Sequence, residues 1–600
     1  MKNKALFLRF SAFACLIALT FSIIACDQRL DGGDKTLPEG SLDIEDVVGD
    51  LDTDIGSGDK DPTYEENGSV KISFSGNSAT VSGLGASATG ADVTITGSGT
   101  YIISGECADG SITVSTQNTN KVQLVLDGLK LTNADGPALN VKNAKKVTVT
   151  LNKGTENVLS DGSSYSATYV NDNVDGTIFS KSNLVFNGEG KLIVNGNYAH
   201  AVVSKDNLTL TSGIYSINSK KTGLYGKDCI KLSGCDVTIN AGTDALKSDN
   251  DVDTTKGFIY IADGTYTLKS VNDAIQAINV ATIDGGSFDI TTTSTSSTLS
   301  AKAIKGGSAV AISGGTFNIN SQDDTIHSDG SIVVAGGDFT IYSGDDAIHA
   351  NDTLDISGGN IAIKKCYEGI EATDIYISGG YIEINSSDDG MNASGGNDSN
   401  TSVPGRPGGD MFGGGTGTIN ISGGYIIIHN EGDGVDSNGS VEISGGVVLV
   451  DGPSRGGNGS FDYGSSAKIT GGVVIALGTK DMAQNFTEAT QGSMLVSTNT
   501  YFTEGTTLAL CDEKGNVVLA FTSTKTFNSA LFSAPELSEG KTYTFYVGAD
   551  IVGLDENGYA HNTTKTGGES CGSVTLSSLI SGQGSGMPGG GGGFPGGRPR

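Results

Sequence analysis

Acids recur along this chain at a spacing that collects oxygen ligands into columns. An acid, a small residue and an aliphatic one follow each other in Asp324-Thr325-Ile326, Asp346-Ala347-Ile348, Glu368-Gly369-Ile370, Asp389-Gly390-Met391 and Asp433-Gly434-Val435. The position before each acid adds Asp323, Asp345 and Asp388. The position three after it reads His327, His349, Glu371, Asn392 and Asp436. Most of these motifs lie about 22 residues apart. If the chain coils with that period, like residues stack about 4.8 Å apart. Two bare carboxylates at that spacing repel by roughly 3–4 kcal/mol at an effective dielectric near 20. A hard divalent cation removes the repulsion. Ca²⁺ accepts six to eight flexibly placed oxygens, whereas Mg²⁺ demands tighter octahedral geometry. The pattern therefore points to Ca²⁺ on this edge. Two plainer alternatives stay open: the Asp-Gly and Asp-Ala steps make solvated turns whose charge is screened, or any Ca²⁺ is purely structural. His327 and His349 share one column, as ligands, glycan contacts or hydrogen-bond partners of the acids.

The element that positions these columns is a repeat. A Gly pair, with a single Gly or Gly-Cys in the earliest copies, returns from position 213 to 472. Ile312-Ser313-Gly314-Gly315 recurs as Ile356-Ser357-Gly358-Gly359, Ile377-Ser378-Gly379-Gly380, Ile421-Ser422-Gly423-Gly424 and Ile443-Ser444-Gly445-Gly446. Apolar residues stand three before the second Gly (Ile312, Val334, Ile356), two after it (Phe317, Phe339, Ile361) and four after it (Ile319, Ile341, Ile363). Offsets of two and four are a strand period, and the Gly pair suits a tight bend or a positive φ. No segment of comparable length shows a helical period. Three short strands per coil of about 22 residues, stacked like over like, describe an all-β, right-handed parallel β-helix. About a dozen coils make a rod of roughly 55–60 Å. Longer steps between Gly pairs fall at the polar inserts 249–256 and 292–300. The ends need caps against exposed sheet edges, expected over 70–190 and 480–575. In the second of these, Thr507–Leu510 and Val517–Ala520 read as a hairpin.

Composition narrows the possibilities. The 600 residues include 90 Gly and no Trp, without the strict period of collagen. The net charge of −31 argues against nucleic acid as a partner. An acidic polymer remains possible through a bridging cation. Residues 1–25 read as an export signal, with Lys2, Lys4 and Arg9 before an apolar run. Its loss deepens the negative charge by three. Ile23-Ile24-Ala25-Cys26 resembles a bacterial lipobox. That resemblance implies cleavage before Cys26, lipid on its thiol and an exported protein anchored at the bacterial cell surface or membrane. The alternative is a plain signal peptide. No other stretch is apolar enough to span a bilayer. Cys107, Cys229, Cys235, Cys366, Cys511 and Cys571 lack CxxC spacing, which disfavours a zinc or redox site. Cys511 and Cys571 are a possible pair. The boundaries read as signal 1–25, acidic flexible tether 26–66, β-helix 67–478 with a loop insert at 394–416, C-terminal β region 479–577, and Gly/Pro tail 578–600.

The lipobox, the Gly-rich repeats, the Ser-Gly-Gly and Asp-Ala/Gly-aliphatic motifs and the Gly/Pro tail together resemble the carbohydrate-binding β-helix family first described from clostridial cellulose degraders. The resemblance covers about residues 70–575. It implies a pectate-lyase-like fold, bound Ca²⁺, and binding without catalysis to cellulose and acidic polysaccharides. It makes Asp323, Asp324, Asp345, Asp346, Glu368, Glu371, Asp388, Asp389, Asp433 and Asp436 the candidate calcium ligands. Lys302 departs from the acidic pattern and puts a site at its coil in doubt.

The leading expectation is a non-catalytic, calcium-dependent glycan-binding protein, acting as a monomer. Tyr381 and Tyr425 share a column and are candidates to stack on a sugar ring, along with His327 and His349 as contacts. Cross-coil packing of the two tyrosines is the simpler alternative. A second expectation is a polysaccharide lyase, in which Ca²⁺ acidifies the proton beside a uronate carboxyl and Lys302, Lys305 or Lys247 removes it. A third is a structural adhesin that uses the rod only as a spacer.

Overall fold

The structure, a computed structural model, describes residues 40–296, 298–394 and 416–582. The export segment with Cys26, most of the 394–416 insert and the tail beyond 582 lie outside those residues. From Ser41 onward the described chain clusters as one unit.

Each regular coil has three strands. In one coil they are Ala309–Ile312, Thr316–Asn320 and Ile326–Ser328. Each strand pairs in parallel with its counterpart one coil away, so the stack is a parallel β-helix with three faces. On the first face Ile283, Ile312, Val334 and Ile356 align. On the second Phe288, Phe317, Phe339 and Ile361 align. On the third Ile304, Ile326, Ile348 and Ile370 align. The third face is a sheet of 15 strands, while the other two join with the end strands in a sheet of 34.

The core follows from stacking. Tyr266, Phe288, Phe317 and Phe339 form a continuous ring ladder, with centroids 4.9, 4.7 and 4.5 Å apart and planes within 15°. Such contacts add about 0.5–1.5 kcal/mol each beyond burial. The Gly pair turns the chain from the first face to the second, and its second Gly takes a positive φ, 115° at Gly315 and 109° at Gly337. Where Cys235 fills that place, the positive φ moves back to Gly234.

Parallel coils reach further toward the N-terminus than the Gly repeats indicate. Asp92–Ile95 already pairs in parallel with Ser111–Ser115, and Gly99–Cys107 with Lys121–Asn133. Antiparallel hairpins occupy only the first positions, Val70–Ser75 with Ser78–Ser82 and Ala86–Thr89 with Asp92–Ile95. The expected cap over 70–190 is therefore mostly coil. Its spacing is irregular partly because of an excursion carrying the short helix Ala167–Asn171, whose flanking Tyr165 covers Phe179 and Val203 on the third face.

The reading of 26–66 as a flexible tether does not hold from Ser41 on. This segment is a strap along the outside of the first face. Leu42 N–H donates to Asp355 Oδ2 at 3.3 Å. Val47 and Leu51 pack on Phe258, Val280 and Ala309. Lys231 Nζ reaches the Asp54 carbonyl at 2.9 Å. The Asp59 carbonyl accepts from Asn187 and Thr211, each at 3.0 Å, and the Thr63 carbonyl accepts from Gln123. Acidic composition suggested solvation, but outward Lys, Asn, Thr and Gln on successive coils supply backbone partners that composition does not reveal.

At the far end Phe527–Ala534 pairs antiparallel with Val473–Gly478 and with Gly492–Phe502, closing the sheet edge. A five-stranded antiparallel sheet follows, containing the expected hairpin. Cys511 and Cys571 are both free thiols, as are the other four described cysteines.

Candidate functional site: an acidic corner

The acid motifs form the corner between the second and third faces. The residue after each acid donates its N–H to the carbonyl of the acid one coil on: Thr325 to Asp346, Ala347 to Glu368 and Gly369 to Asp389, each at 3.0 Å, and Gly390 to Asp433 at 2.8 Å. The column order read from the repeat is thus the spatial order. The middle residue of each motif is small because the corner interior is narrow. A Cβ on Gly390 would lie 2.5 Å from the Gly434 carbonyl oxygen and 2.3 Å from an Ile428 methyl. The third residue, such as Ile326 or Ile348, enters the core.

The acids share a further arrangement. In every motif except Glu368, one carboxylate oxygen accepts the backbone N–H of the next corner residue: Asp324 from Asp346 at 3.2 Å, Asp346 from Glu368 at 3.2 Å, Asp389 from Asp433 at 2.6 Å. Asp433 accepts likewise from Gly459. The second oxygen is left for another partner, and that partner divides the corner in two.

In the first half the partners are Lys and His side chains of the chain itself. Asp324 Oδ2 meets Lys302 Nζ and His327 Nδ1, the latter at 2.8 Å. Burial opposes ionisation of Asp324, but the His327 hydrogen bond and the Lys302 charge hold its carboxyl far below the usual range. His349 Nδ1 lies 3.2 Å from Asp346 and 3.1 Å from Glu371. Burial disfavours the His349 charge, yet these two carboxylates push its pKa up to about 11. Burial opposes ionisation of Glu371 as well, but the hydrogen bond and charge of His349 with the Asp346 contact together lower it, while Asp346 is raised by burial and by its acidic neighbours. Asp323 also pairs with Lys302, at 3.3 Å, and gathers with Asp324 and Asp345 at the rim.

In the second half no basic side chain pairs with the acids among the described residues. Single carboxylate oxygens of Asp389, Asp433 and Asp436 lie within 4.8 Å of one another. Burial raises them to about 7, 8 and 6, helped by repulsion from their acidic neighbours, which for Asp436 is Asp462. Glu368, beside them, is raised to about 9 by burial and by Glu371 and Asp346. Asn392 stands in the column between Glu371 and Asp436. Its amide donates to Glu368 at 2.9 Å, but its buried Oδ1 has no partner. Half-buried carboxylates beside an orphaned amide oxygen are a hard-oxygen donor set, and they fit a divalent cation of the Ca²⁺ class. Asp388 sits one residue outward on the same rim.

Several expected contacts have other roles. His327 and His349 are buried and engaged on both ring nitrogens, so they are closed to a glycan. Tyr381 and Tyr425 do stack, at 5.4 Å and 10°, but the C-terminal region covers them. Tyr425 donates to Asp555 at 2.7 Å, Tyr381 and Asn557 are hydrogen-bonded, and Tyr559 packs edge-on against Tyr425. They dock that region instead of offering a sugar platform. Lys302 is buried in its ion pairs and Lys247 lies 3.6 Å from Asp244. Asn392 was visible in the column but carries no charge to mark it as a ligand.

Comparison with known proteins gives three findings. The model of a family described as carbohydrate-binding domain-containing protein matches residues 89–347 and 345–509. A protein of Acetivibrio thermocellus with the same description is 31% identical over 168 residues, 27% of this chain. The chain spans 59% of the length of that relative. A solved structure of a polysaccharide lyase-like protein from C. thermocellum, a gadolinium derivative, is 28% identical, with a TM-score of 0.36 over 41% of this chain and 92% of that one.

Proposed function

This chain belongs to the family of carbohydrate-binding domain-containing proteins, and on that premise we propose that it binds an acidic polysaccharide through Ca²⁺ held at the second half of the acidic corner. The observation that carries the reading is the group Asp389, Asp433 and Asp436, raised by burial and repulsion with no basic partner among the described residues, beside the orphaned oxygen of Asn392. Glu368, Asp389, Asn392, Asp433 and Asp436 would hold the ion. Bound there, Ca²⁺ offsets the repulsion and presents positive charge to carboxylates of a glycan. Without such a centre, a chain of net charge −31 repels an anionic polymer. The reading is of binding and not cleavage, since Lys302 and Lys247 are already ion-paired with carboxylates of the chain itself. Export and lipid attachment at Cys26 complete it and place the rod at the cell surface.

The test is binding to polygalacturonate with Ca²⁺ and with chelator, while circular dichroism follows the fold. Binding lost in chelator with the spectrum unchanged supports the reading. Equal binding in both conditions removes Ca²⁺ from it. Unsaturated, ultraviolet-absorbing product accumulating with time would establish a lyase instead.

A further inference from the structure

A strand interruption beside the corner puts two lysines side by side. Strand residues alternate between faces, and in neighbouring coils one outward residue separates the inward pair, Tyr342 between Ile341 and Ser343, and Asn385 between Ile384 and Ser386. In Asn360–Cys366 the pairing slips between Ile363 and Cys366. Two residues fill the outward place, Lys364 and Lys365, and both are exposed. This is a β-bulge, a device that re-aims side chains at the cost of local pairing.

The bulge borders a cleft of about 470 Å³, lined among others by Lys364, Lys365, Asn385, His429, Thr524 and Lys525. The far wall comes from the C-terminal region and is held firmly. Buried Asp451 accepts from Thr524 N at 2.7 Å and from Thr524 Oγ1 at 2.6 Å, and lies 3.3 Å from His429 Nδ1. Lys364 pairs with Glu383 and Lys525 with Glu431, each at 2.9 Å. Lys365 has no ion-pair partner among the described residues. The cleft opens where the second-face strands end, so Cys366 precedes Glu368 by two residues, Ser387 adjoins Asp388, and Glu431 precedes Asp433 by two. In a chain with an excess of 31 negative charges, three lysines converge directly alongside the acidic corner.

We propose that this cleft is an anion subsite that takes the carboxylate of a uronate residue, with Lys365 as its principal contact and Lys364 and Lys525 as positioned neighbours. It rests on the acidic-polysaccharide reading and adds a second means of recognition. A polyuronate lying along the corner presents some carboxylates to the cation centre and others to the lysines. The two act through different atoms, so they are separable.

The experiment measures polygalacturonate binding by the full chain at low ionic strength with saturating Ca²⁺, together with Ca²⁺ affinity and thermal unfolding. Lys365→Ala weakens glycan binding about five-fold, the scale of one charge-assisted contact at a partly exposed site, and Lys365→Glu weakens it further. Ca²⁺ affinity and the unfolding temperature stay at the wild-type value. Lys514→Ala, an equal change of net charge at an exposed turn in the C-terminal hairpin, leaves binding unchanged. With fully methyl-esterified polygalacturonate the difference between wild type and Lys365→Ala disappears. Wild-type affinity in Lys365→Glu overturns the subsite and leaves the calcium reading standing. Failure of the wild type to bind polygalacturonate at all overturns both.

Discussion

Asp433 donates its backbone N–H to Oδ1 of Asp389 at 2.6 Å, so the carboxylate that would serve an ion also fastens one coil to the next. Charge and hydrogen bonding at the corner are therefore separable by substitution. Asp389→Asn keeps an acceptor for that N–H and removes the charge. In chelator the variant is expected to unfold at a higher temperature than wild type, because like-charge repulsion is relieved. Its Ca²⁺ affinity falls at least ten-fold by calorimetry. A variant as Ca²⁺-responsive as wild type removes Asp389 from the ligand set.

The raised corner acids also set a pH dependence. Asp389, Asp433 and Asp436 hold protons up to about 7, 8 and 6 in the folded chain, against about 3.9 for an unperturbed Asp. Between those limits the folded state binds more protons than the unfolded one, so stability in chelator falls as pH rises from about 4 to about 8. Ca²⁺ competes for the same oxygens. The gain in unfolding temperature on adding Ca²⁺ should therefore grow over that range, and calorimetry in buffers of different ionisation enthalpy should show proton release. A Ca²⁺ gain that shrinks with rising pH contradicts the assignment.

Gly432 lies beneath two of the acids. A Cβ there would come within 2.3 Å of Asp389 Oδ1 and 2.4 Å of Asp388 Oδ1, so Gly432→Ala must displace both carboxylates. The expected result is a loss of Ca²⁺ affinity of about ten-fold with the β-sheet circular dichroism retained. Unchanged affinity would mean that neither oxygen touches the ion.

Lys302 is structural in this fold. Lys302→Met leaves Asp324 buried with His327 as its remaining side-chain hydrogen-bond partner, and removing one member of a buried ion pair costs about 3 kcal/mol or more. Denaturant unfolding should show that loss, while glycan affinity per folded molecule stays at the wild-type value. A fully stable variant with abolished product formation would instead revive Lys302 as a lyase base.

Tyr425→Ala tests the docking of the C-terminal region. It removes the stack on Tyr381 and the bond to Asp555. Faster proteolytic release of the region around residues 552–559 is expected, with polygalacturonate affinity reduced only as far as the Lys525 wall is disturbed. Loss of glycan binding with unchanged proteolysis would restore the tyrosines as a sugar platform.

The parts of this molecule that repeat were legible in the sequence. Positions such as Ile312, Phe317 and Asp324 recur with the coil, and stacking converts recurrence directly into contact. The acid column needed no structure to be ordered. What did not repeat was only partly legible: the hairpin over 507–520 was read, whereas the strap from Ser41 was not. His327 and His349 share the column of Glu371 and Asp436, and spacing alone left ligand, glycan contact and hydrogen-bond partner of the acids equally open; the structure shows the last. Tyr381 and Tyr425 look exposed until residues more than a hundred positions later close over them. The cleft at Lys364 and Lys365 was missed for the same reason, since Thr524 and Lys525 come from outside the repeat and the bulge alters the local count by a single residue.

The strap has a mechanical side. The chain meets the rod beside Asp355, partway along the stack, and enters the coils only after running back past Lys231, Asn187 and Gln123. A load applied through the N-terminal side therefore does not reach the coils first. It breaks the Leu42–Asp355 contact, then the apolar contacts of Val47 and Leu51, then those of Asp54, Asp59 and Thr63, one after another. Residues 42–69 paid out in full extend by roughly 90–100 Å. Any tether upstream thus carries built-in slack, and that slack is spent before force is felt by the stacked coils or by a polymer lying along their corner.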